Sequence, residues 1–285
     1  MRFRGAGPLT HRSIHPRRGG VRRSLIRARV PAPLVALAAA GLLLFLLPLA
    51  GLIARAPWNQ VGTELVATET ATALGLSLLC SLTATAVALV LGIPLALVLS
   101  RTTGTLRGVL RALTTLPMVL PPVVGGVALL LAFGRSGLIG SPLHQLFGLQ
   151  IPFTTTAAVI AETFVAMPFL VIAVEGGLRS LDSRYEESAR ALGANSWKVL
   201  ARVTLPLLRP AIFSGAVLCW ARALGEFGAT ITFAGNLPGR TQTIPLAVYV
   251  ALETRPDGAI VLSLILLAVS LAILIGLRDR WLGAP

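Results

Sequence analysis

The chain has 285 residues, of which 55% are hydrophobic and only 13% are charged, and its formal net charge at pH 7 is +14. The apolar residues are gathered in long blocks without the amphipathic periodicity of a soluble domain, which excludes that class. Blocks of roughly 18 or more apolar residues are typical of membrane-spanning helices, because unpaired backbone groups in lipid cost several kcal/mol each. The composition therefore predicts an all-α polytopic membrane protein.

The first segment of the chain, residues 1–30, carries much of the positive charge. Nine arginines precede the first apolar block, with no acidic residue among them: Arg2, Arg4, Arg12, Arg17, Arg18, Arg22, Arg23, Arg27 and Arg29. Such a segment is typical of a cytoplasmic anchor attracted to anionic lipid, so we predict membrane lipid and not nucleic acid as its partner. We expect residues 1–30 to be a disordered basic tail. A nucleic-acid or lipid-surface adaptor is the alternative, and in that case deleting the tail would abolish function.

Six apolar blocks follow, and each predicts one transmembrane helix. Their approximate bounds are 33–53, 71–100, 113–133, 153–174, 211–234 and 259–277. With the N-terminus inside the cell, 20 of the 25 Lys and Arg residues fall in inner segments, and only Arg55, Arg135, Arg240 and Arg255 fall in outer ones. This asymmetry predicts that both termini are cytoplasmic, and an odd number of spans would not preserve it. We expect residues 31–285 to form one transmembrane domain.

The third block holds Pro117, Pro121 and Pro122, followed by Gly125 and Gly126. These residues must distort its helix, because proline lacks the backbone N–H and clashes with the preceding turn. Broken helices at membrane depth normally face protein or a cavity. The segment is therefore a candidate gate that includes Pro121, Pro122 and Gly125. Helix packing through small residues is the alternative.

Arg222 and Glu226 lie inside the fifth block, where a charge near the bilayer centre costs about 2.5 to 3.5 kcal/mol, whereas Glu162 lies inside the fourth block and Glu175 at its cytoplasmic end. Arg222 and Glu226 are four residues apart, so they can pair in a helix. The pair is either a self-neutralised structural feature or part of the gate. We expect Glu175 to snorkel at the cytoplasmic end. Glu162 has no evident partner in its own helix, and Arg222 or a second protomer could supply one.

The segment between the fourth and fifth blocks is polar and, by the same charge asymmetry, cytoplasmic. Its pattern is Glu187-x-Ala189-x-x-x-Gly193, then nine residues, then Val203-x-Leu205-Pro206. Helical spacing predicts that Glu187, Arg190 and Ala191 share one face. Gly193 predicts the end of one short helix, and Pro206 the end of a second one. Both helices would lie along the inner membrane surface, and an ordinary amphipathic connector is the alternative.

This pattern resembles the EAA loop in the integral-membrane subunits of ATP-binding-cassette (ABC) importers: Glu-Ala-Ala, three residues, Gly, nine residues, Ile-x-Leu-Pro. The chain departs from it with Ser188 for Ala and Val203 for Ile. In that family the loop is the coupling helix, which docks in a groove of the ATPase subunit. The resemblance implies a type I ABC importer permease fold. It assigns coupling to the ATPase to six residues, Glu187, Ala189, Leu192, Gly193, Leu205 and Pro206.

Residues 116–126 and 222–246 are similar to signature segments of molybdate permeases, and the resemblance extends from Ala71 onward. Sulfate permeases carry a related Gly-Glu-Phe/Tyr-Gly segment, so molybdate, tungstate and sulfate all stay open as substrates. The resemblance implies a permease subunit in a bacterial inner membrane that translocates an oxyanion by alternating access. It also implies a homodimer, two cytoplasmic ABC ATPase subunits and an extracytoplasmic molybdate-binding protein docked on residues 135–150 and 236–257. An unpaired Glu226 would repel an anion, so Arg222 should neutralise it.

The chain has a single lysine, Lys198, and lacks a phosphate-binding GxxxxGK[ST] loop. ATP and Mg are therefore expected on the partner ATPase. The histidines and the two cysteines, Cys80 and Cys219, form no metal-binding or redox pattern. We predict no catalytic residue, no metal site and no enzymatic activity in this chain. The alternative from another class is a self-sufficient secondary transporter or channel with Glu162 or Glu226 as a proton relay.

Overall fold

The computed structural model describes residues 31–276, and within that range the chain consists of helices joined by loops, without strands. The expected disordered tail and the last residue of the sixth expected span lie outside the described residues. The chain divides after Leu49 into two units, and the packing described below belongs to the second. The helices are α1 Ala32–Ala54, α2 Trp58–Val66, α3 Thr68–Arg101, α4 Gly104–Val119, α5 Pro122–Phe133, α6 Gly140–Phe147, α7 Thr155–Ser180, α8 Ser183–Ala191, α9 Ser196–Val199, a π-helical turn Leu200–Thr204, α10 Leu205–Leu224, α11 Gly228–Phe233, α12 Ile244–Thr254 and α13 Pro256–Gly276.

Five helical stretches in the described part of the chain are long and apolar enough to cross a membrane, or six when α4 and α5 are counted as one broken span. The five are Ala32–Ala54, Thr68–Arg101, Thr155–Ser180, Ser196–Leu224 and Pro256–Ile275. At 34 residues, α3 measures about 51 Å, so it exceeds the ~30 Å hydrocarbon core. The predicted all-helical, multi-pass architecture is confirmed.

The third apolar block was expected as one span over residues 113–133. It forms two helices, and the chain bends by 116° between them. The break lies at Leu120 and Pro121, which have extended backbone conformations. The proline ring disfavours a helical conformation in the residue before it, so Leu120 leaves the helix. Pro122 can begin α5 because the first helical residue has no N–H partner to lose. Pro117 lies inside α4 without ending it.

The fifth block also differs from the expected span over residues 211–234. The helical stretch begins at Ser196 and ends at Leu224, and the short helix α11 follows after Gly225. The prediction that Pro206 ends a helix is wrong, because the stretch runs through it. In the π-helical turn before it, the Leu205 N–H donates to the Leu200 carbonyl, five residues back. This wider turn relieves the clash of the proline ring with the preceding turn.

Small residues hold α3, α7 and α10 close together. Ala84, Ala88 and Ala96 of α3 pack with Ala166 and Leu170 of α7 and with Cys219 and Ala223 of α10. Because membrane helices gain little from burying apolar surface against each other, close van der Waals contact supplies much of their association. Gly126 of α5 and Gly228 of α11 serve a second close contact. An added Cβ atom at Gly126 would lie 2.6 Å from the Thr232 Cβ and 2.9 Å from the Ala229 carbonyl oxygen.

Replacing Gly126 with alanine should therefore destabilise the fold by about 1–3 kcal/mol, because the new methyl group overpacks the α5–α11 contact. Gly108→Ala on the exposed side of α4 is the matched control, since no described atom lies within 4 Å of its added Cβ. It should be neutral or stabilising by up to about 1 kcal/mol. Thermal unfolding of the purified protein in detergent measures both. Equal melting temperatures for the two variants would contradict the close packing.

Candidate coupling loop and buried charge clusters

The short helix α8 has a defined start and end. The Asp182 carboxylate accepts a hydrogen bond from the Arg184 N–H at 3.0 Å, which satisfies one free donor of the first turn. At the other end Gly193 has a φ of +83°, a conformation that favours glycine. Its N–H donates to the Arg190 carbonyl, and the next N–H, of Ala194, donates to the Ala189 carbonyl. This double hydrogen bond is a Schellman motif, so Gly193 ends the helix as expected.

The helices α8 and α9 and the turn between them present large apolar side chains to solvent. Leu192 is 90% exposed, and Tyr185 and Trp197 are also exposed. Glu187 is exposed as well, whereas Ala189 is half-buried. Large apolar side chains grouped at a protein surface mark an interaction site. The structure therefore gathers four of the predicted coupling residues, Glu187, Ala189, Leu192 and Gly193, in one short surface segment.

The other two predicted coupling residues, Leu205 and Pro206, lie elsewhere. They are half-buried at the junction of the π-helical turn and α10. The short helix α9 leads to this junction, and the Asn195 side chain caps it by accepting from the Lys198 N–H at 2.9 Å. Leu205 and Pro206 thus join the exposed segment to a membrane-spanning helix and do not lie in its exposed surface.

Glu186 is a residue that the sequence analysis did not select. Its carboxylate pairs with Arg190 at 3.1 Å and with Arg101, the last residue of α3, at 3.6 Å. It also accepts a hydrogen bond from the Thr204 hydroxyl at 2.6 Å. Glu187, Arg190 and Ala191 all lie in α8, and within this helix the i, i+4 ion-pair partner of Arg190 is Glu186. The four-residue spacing was visible in the sequence, but Thr204 is 18 residues away and gave no signal.

Glu175 is a second buried carboxylate at this end of the helices. Its side chain is 3% exposed and lies among Arg107 and Arg111 of α4 and Arg179 of its own helix. The N–O distances to Arg107 and Arg111 are 3.2 and 3.8 Å. The expectation that Glu175 snorkels is wrong: it is buried because arginines from two helices surround it and replace water. Arg107 is 68 residues away, so helical spacing could not reveal the cluster.

The third charged cluster lies where α10 ends and α11 begins. Arg222 and Glu226 form the expected ion pair, with 2.7 Å between Nη1 and Oε2. Glu226 is 1% exposed, and its Oε1 accepts a hydrogen bond from the Ala229 N–H at 2.9 Å. The carboxylate thus caps the start of α11 while the guanidinium neutralises it.

The candidate gate residues of the broken third span lie beside this junction. An added Cβ at Gly228 would lie 2.8 Å from the Pro122 Cβ, so the start of α5 touches the start of α11. At Gly125 an added Cβ would lie 3.1 Å from Phe164 of α7. Pro121 occupies the break itself. The structure therefore brings Pro122 next to the helix that Glu226 caps.

Glu162 of α7 is the remaining buried carboxylate in the described residues, with 1% of its surface exposed. Its Oε2 atom has no hydrogen-bond partner among residues 31–276. Within the same residues no group of three His, Cys, Asp or Glu side chains could hold a metal ion.

Comparison with known proteins identifies the family. Residues 88–283 match the family described as the binding-protein-dependent transport system inner membrane component. The chain belongs to this family. It is also similar to the molybdenum transport system permease protein ModB of Mycobacterium tuberculosis, with 47% identity over 243 residues that cover 85% of this chain and 92% of the relative. The ModB protein of Escherichia coli is 42% identical over 192 residues, 67% of this chain and 84% of the relative.

A solved structure of another transporter shows the same fold as this chain. It is a bacterial alginate ABC transporter in complex with an alginate pentasaccharide-bound periplasmic protein, and one of its chains matches with a TM-score of 0.64. The match covers 89% of this chain and 96% of that one at 17% identity, so it supports the fold alone. The expected ABC importer permease fold is confirmed, and the chain is a multi-pass inner-membrane protein.

Glu175→Gln should lower the free energy of unfolding by about 1–3 kcal/mol, because three arginines lose their shared charged partner. Glu69→Gln is the matched control, since Glu69 is 82% exposed and pairs with Arg255 at 3.5 Å. Exposed ion pairs contribute about 0–1 kcal/mol, so this variant should change little. Thermal unfolding in detergent compares them. A control that melts as low as Glu175→Gln would contradict the role of burial.

Proposed function

We propose that this chain is the membrane-spanning permease subunit of an ATP-driven importer for molybdate, with tungstate as a second oxyanion, which it translocates into the cytoplasm by alternating access. The observation that carries the proposal is the 47% identity over 243 residues to a molybdenum transport permease, across 92% of that relative. The permease fold supports the same conclusion. Sulfate, also a tetrahedral dianion, is the nearest alternative substrate.

The proposed assembly has two copies of this chain, two cytoplasmic ABC ATPase subunits and an extracytoplasmic molybdate-binding protein. Support for the binding protein comes from the alginate transporter, which was solved with a periplasmic protein bound. Support for cytoplasmic termini comes from the arginine asymmetry of the sequence, which also puts the α8 segment on the ATPase side. Residues 135–150 and 236–257 then lie outside, where the binding protein docks.

In this assembly the exposed segment around Leu192 and Gly193 docks on an ATPase subunit, which supplies ATP, Mg and the hydrolysis step. A ligand can shift a conformational equilibrium only through a difference in its affinity for the two states. ATP binding supplies that difference by closing the ATPase dimer, and α8 moves with the ATPase surface that it contacts. The permease copies then alternate between outward-open and inward-open forms.

The junction of α5, α10 and α11 is the proposed gate, formed by Pro121, Pro122, Gly125, Arg222 and Glu226. The Arg222–Glu226 ion pair supports it, because a buried carboxylate without that pair would repel a passing dianion. The same pair disfavours the proton-relay alternative, since Glu226 is held at Oε2 by the ion pair with Arg222 and at Oε1 by the Ala229 N–H. The Oε2 atoms of Glu162 and Glu226 both accept no hydrogen bond in the described residues, but of the two only Glu226 forms an ion pair there.

Deleting the gene for this chain should lower cellular molybdenum at limiting molybdate supply, while cellular sulfur stays unchanged. Elemental analysis of cells grown with limiting molybdate, tungstate or sulfate measures this directly, and restoring the gene is the control. A fall in sulfur with unchanged molybdenum would instead assign the chain to sulfate transport. Molybdate uptake by the purified chain alone, driven by a proton gradient, would overturn the ATP-driven proposal.

Gly193→Val should reduce both molybdate uptake and substrate-stimulated ATP hydrolysis by the reconstituted complex, while membrane insertion is retained. A side chain on a residue with a φ of +83° costs about 1–2 kcal/mol, so the substitution changes the backbone conformation of the docking segment. Gly104→Val is the matched control, because Gly104 has a φ of +67°, also has no atom within 4 Å of an added Cβ, and lies outside the coupling segment. It should carry similar strain with near-normal transport. Normal uptake by Gly193→Val would contradict the coupling role.

A further inference from the structure

The coupling helix α8 has two adjacent glutamates with opposite surroundings. Glu187, which matches the family pattern, is exposed to solvent. Glu186 is only 17% exposed and points its carboxylate toward the membrane-spanning helices. One residue is therefore available to a partner subunit, whereas the other is engaged inside the chain.

The contacts of Glu186 join three separate helical elements. Arg190 belongs to α8, Arg101 ends α3, and Thr204 ends the π-helical turn that leads into α10. The Thr204 contact is the shortest and most buried of these, since Thr204 is fully buried and its hydroxyl donates to a carboxylate oxygen at 2.6 Å. A short hydrogen bond to an ionised acceptor is roughly twice as strong as a neutral one.

The position of Thr204 gives this contact a mechanical consequence. Thr204 is the last residue of the π-helical turn, and α10 begins at the next residue. Beyond it, α10 packs through small residues on α3 and α7. Arg101 belongs to α3, so Glu186 reaches two of these three closely packed helices. Tightly packed helices move as units, so a displacement of α8 that is held at Glu186 is transmitted to them.

Resting on the proposed function, we infer that Glu186 is a positioning residue that transmits movement of the coupling helix to the transport pathway, with Thr204 as its principal partner. Glu187, Leu192 and Gly193 contact the ATPase, and Glu186 connects that contact to α10 and α3. Without this connection the ATPase still binds and hydrolyses ATP, but less of its movement reaches the membrane-spanning helices.

The test uses the complete complex of permease, ATPase and binding protein in proteoliposomes, with molybdate uptake and phosphate release measured on the same sample. Thr204→Val removes the hydroxyl donor at nearly constant volume, and Thr204→Ser retains it. Glu186→Gln removes the charge from the other side of the contact. Arg184→Gln removes a charge from the same helix, where no ion pair of its side chain is found in the described residues.

We expect Thr204→Val and Glu186→Gln each to lower the molybdate imported per ATP hydrolysed by about fivefold or more, the lower range of a typical allosteric coupling. Thr204→Ser and Arg184→Gln should keep the wild-type ratio. The double variant should lose less than the product of the two single losses, because both substitutions weaken the Thr204–Glu186 contact, while Glu186→Gln additionally removes the ion pairs with Arg101 and Arg190.

The ratio separates positioning from simple stability. A merely structural role would lower the yield of complex and leave the imported molybdate per ATP unchanged, and that result would overturn the inference. Equal losses for Thr204→Ser and Thr204→Val would overturn it too, since the hydroxyl would then be irrelevant. If the wild-type complex does not import molybdate at all, the proposed function itself falls, and the inference falls with it.

Discussion

Buried carboxylates that need partners inside the protein are the constraint on which this structure depends. In a membrane-spanning bundle a charged side chain cannot rely on water, so its burial is favourable where another group neutralises it. Glu226 meets this requirement with Arg222 and a backbone N–H, and Glu175 meets it with three arginines. Glu175 thereby ties α4 to α7, and Glu226 ties the end of α10 to the start of α11.

The two broken helices are subject to a similar constraint, because backbone groups that are freed at a break also need partners. Leu120 and Pro121 end α4, and Gly225 ends α10, yet both breaks are covered because α5 and α11 pack on each other through Gly126 and Gly228. Glu226 then supplies an acceptor for one free N–H of α11. The two interruptions at this junction therefore stabilise one another, and an unpaired backbone group would be costly in lipid.

Much of the coupling segment could be predicted from the sequence, but its contacts with the rest of the chain could not. Gly193 signalled the end of α8, because few other residues adopt its left-handed conformation. The Arg222–Glu226 pair followed from helical spacing. By contrast, Glu186 and Glu175 have decisive partners 18 and 68 residues away, and no local spacing rule reaches so far. The prediction that Pro206 ends a helix failed for a related reason. A π-helical turn, which the sequence does not signal, accommodates the proline ring.

The sequence by itself determined the class of this protein, the positions of its apolar blocks and the family to which it belongs, because apolar blocks and the Glu187 to Pro206 pattern are local properties of the chain. Tertiary structure alone decided which carboxylates are buried, which arginines neutralise them and where the third and fifth spans break. Those outcomes depend on which helices lie next to each other. That arrangement is settled by close packing of small residues and by the ion pairs of Glu175 and Glu226.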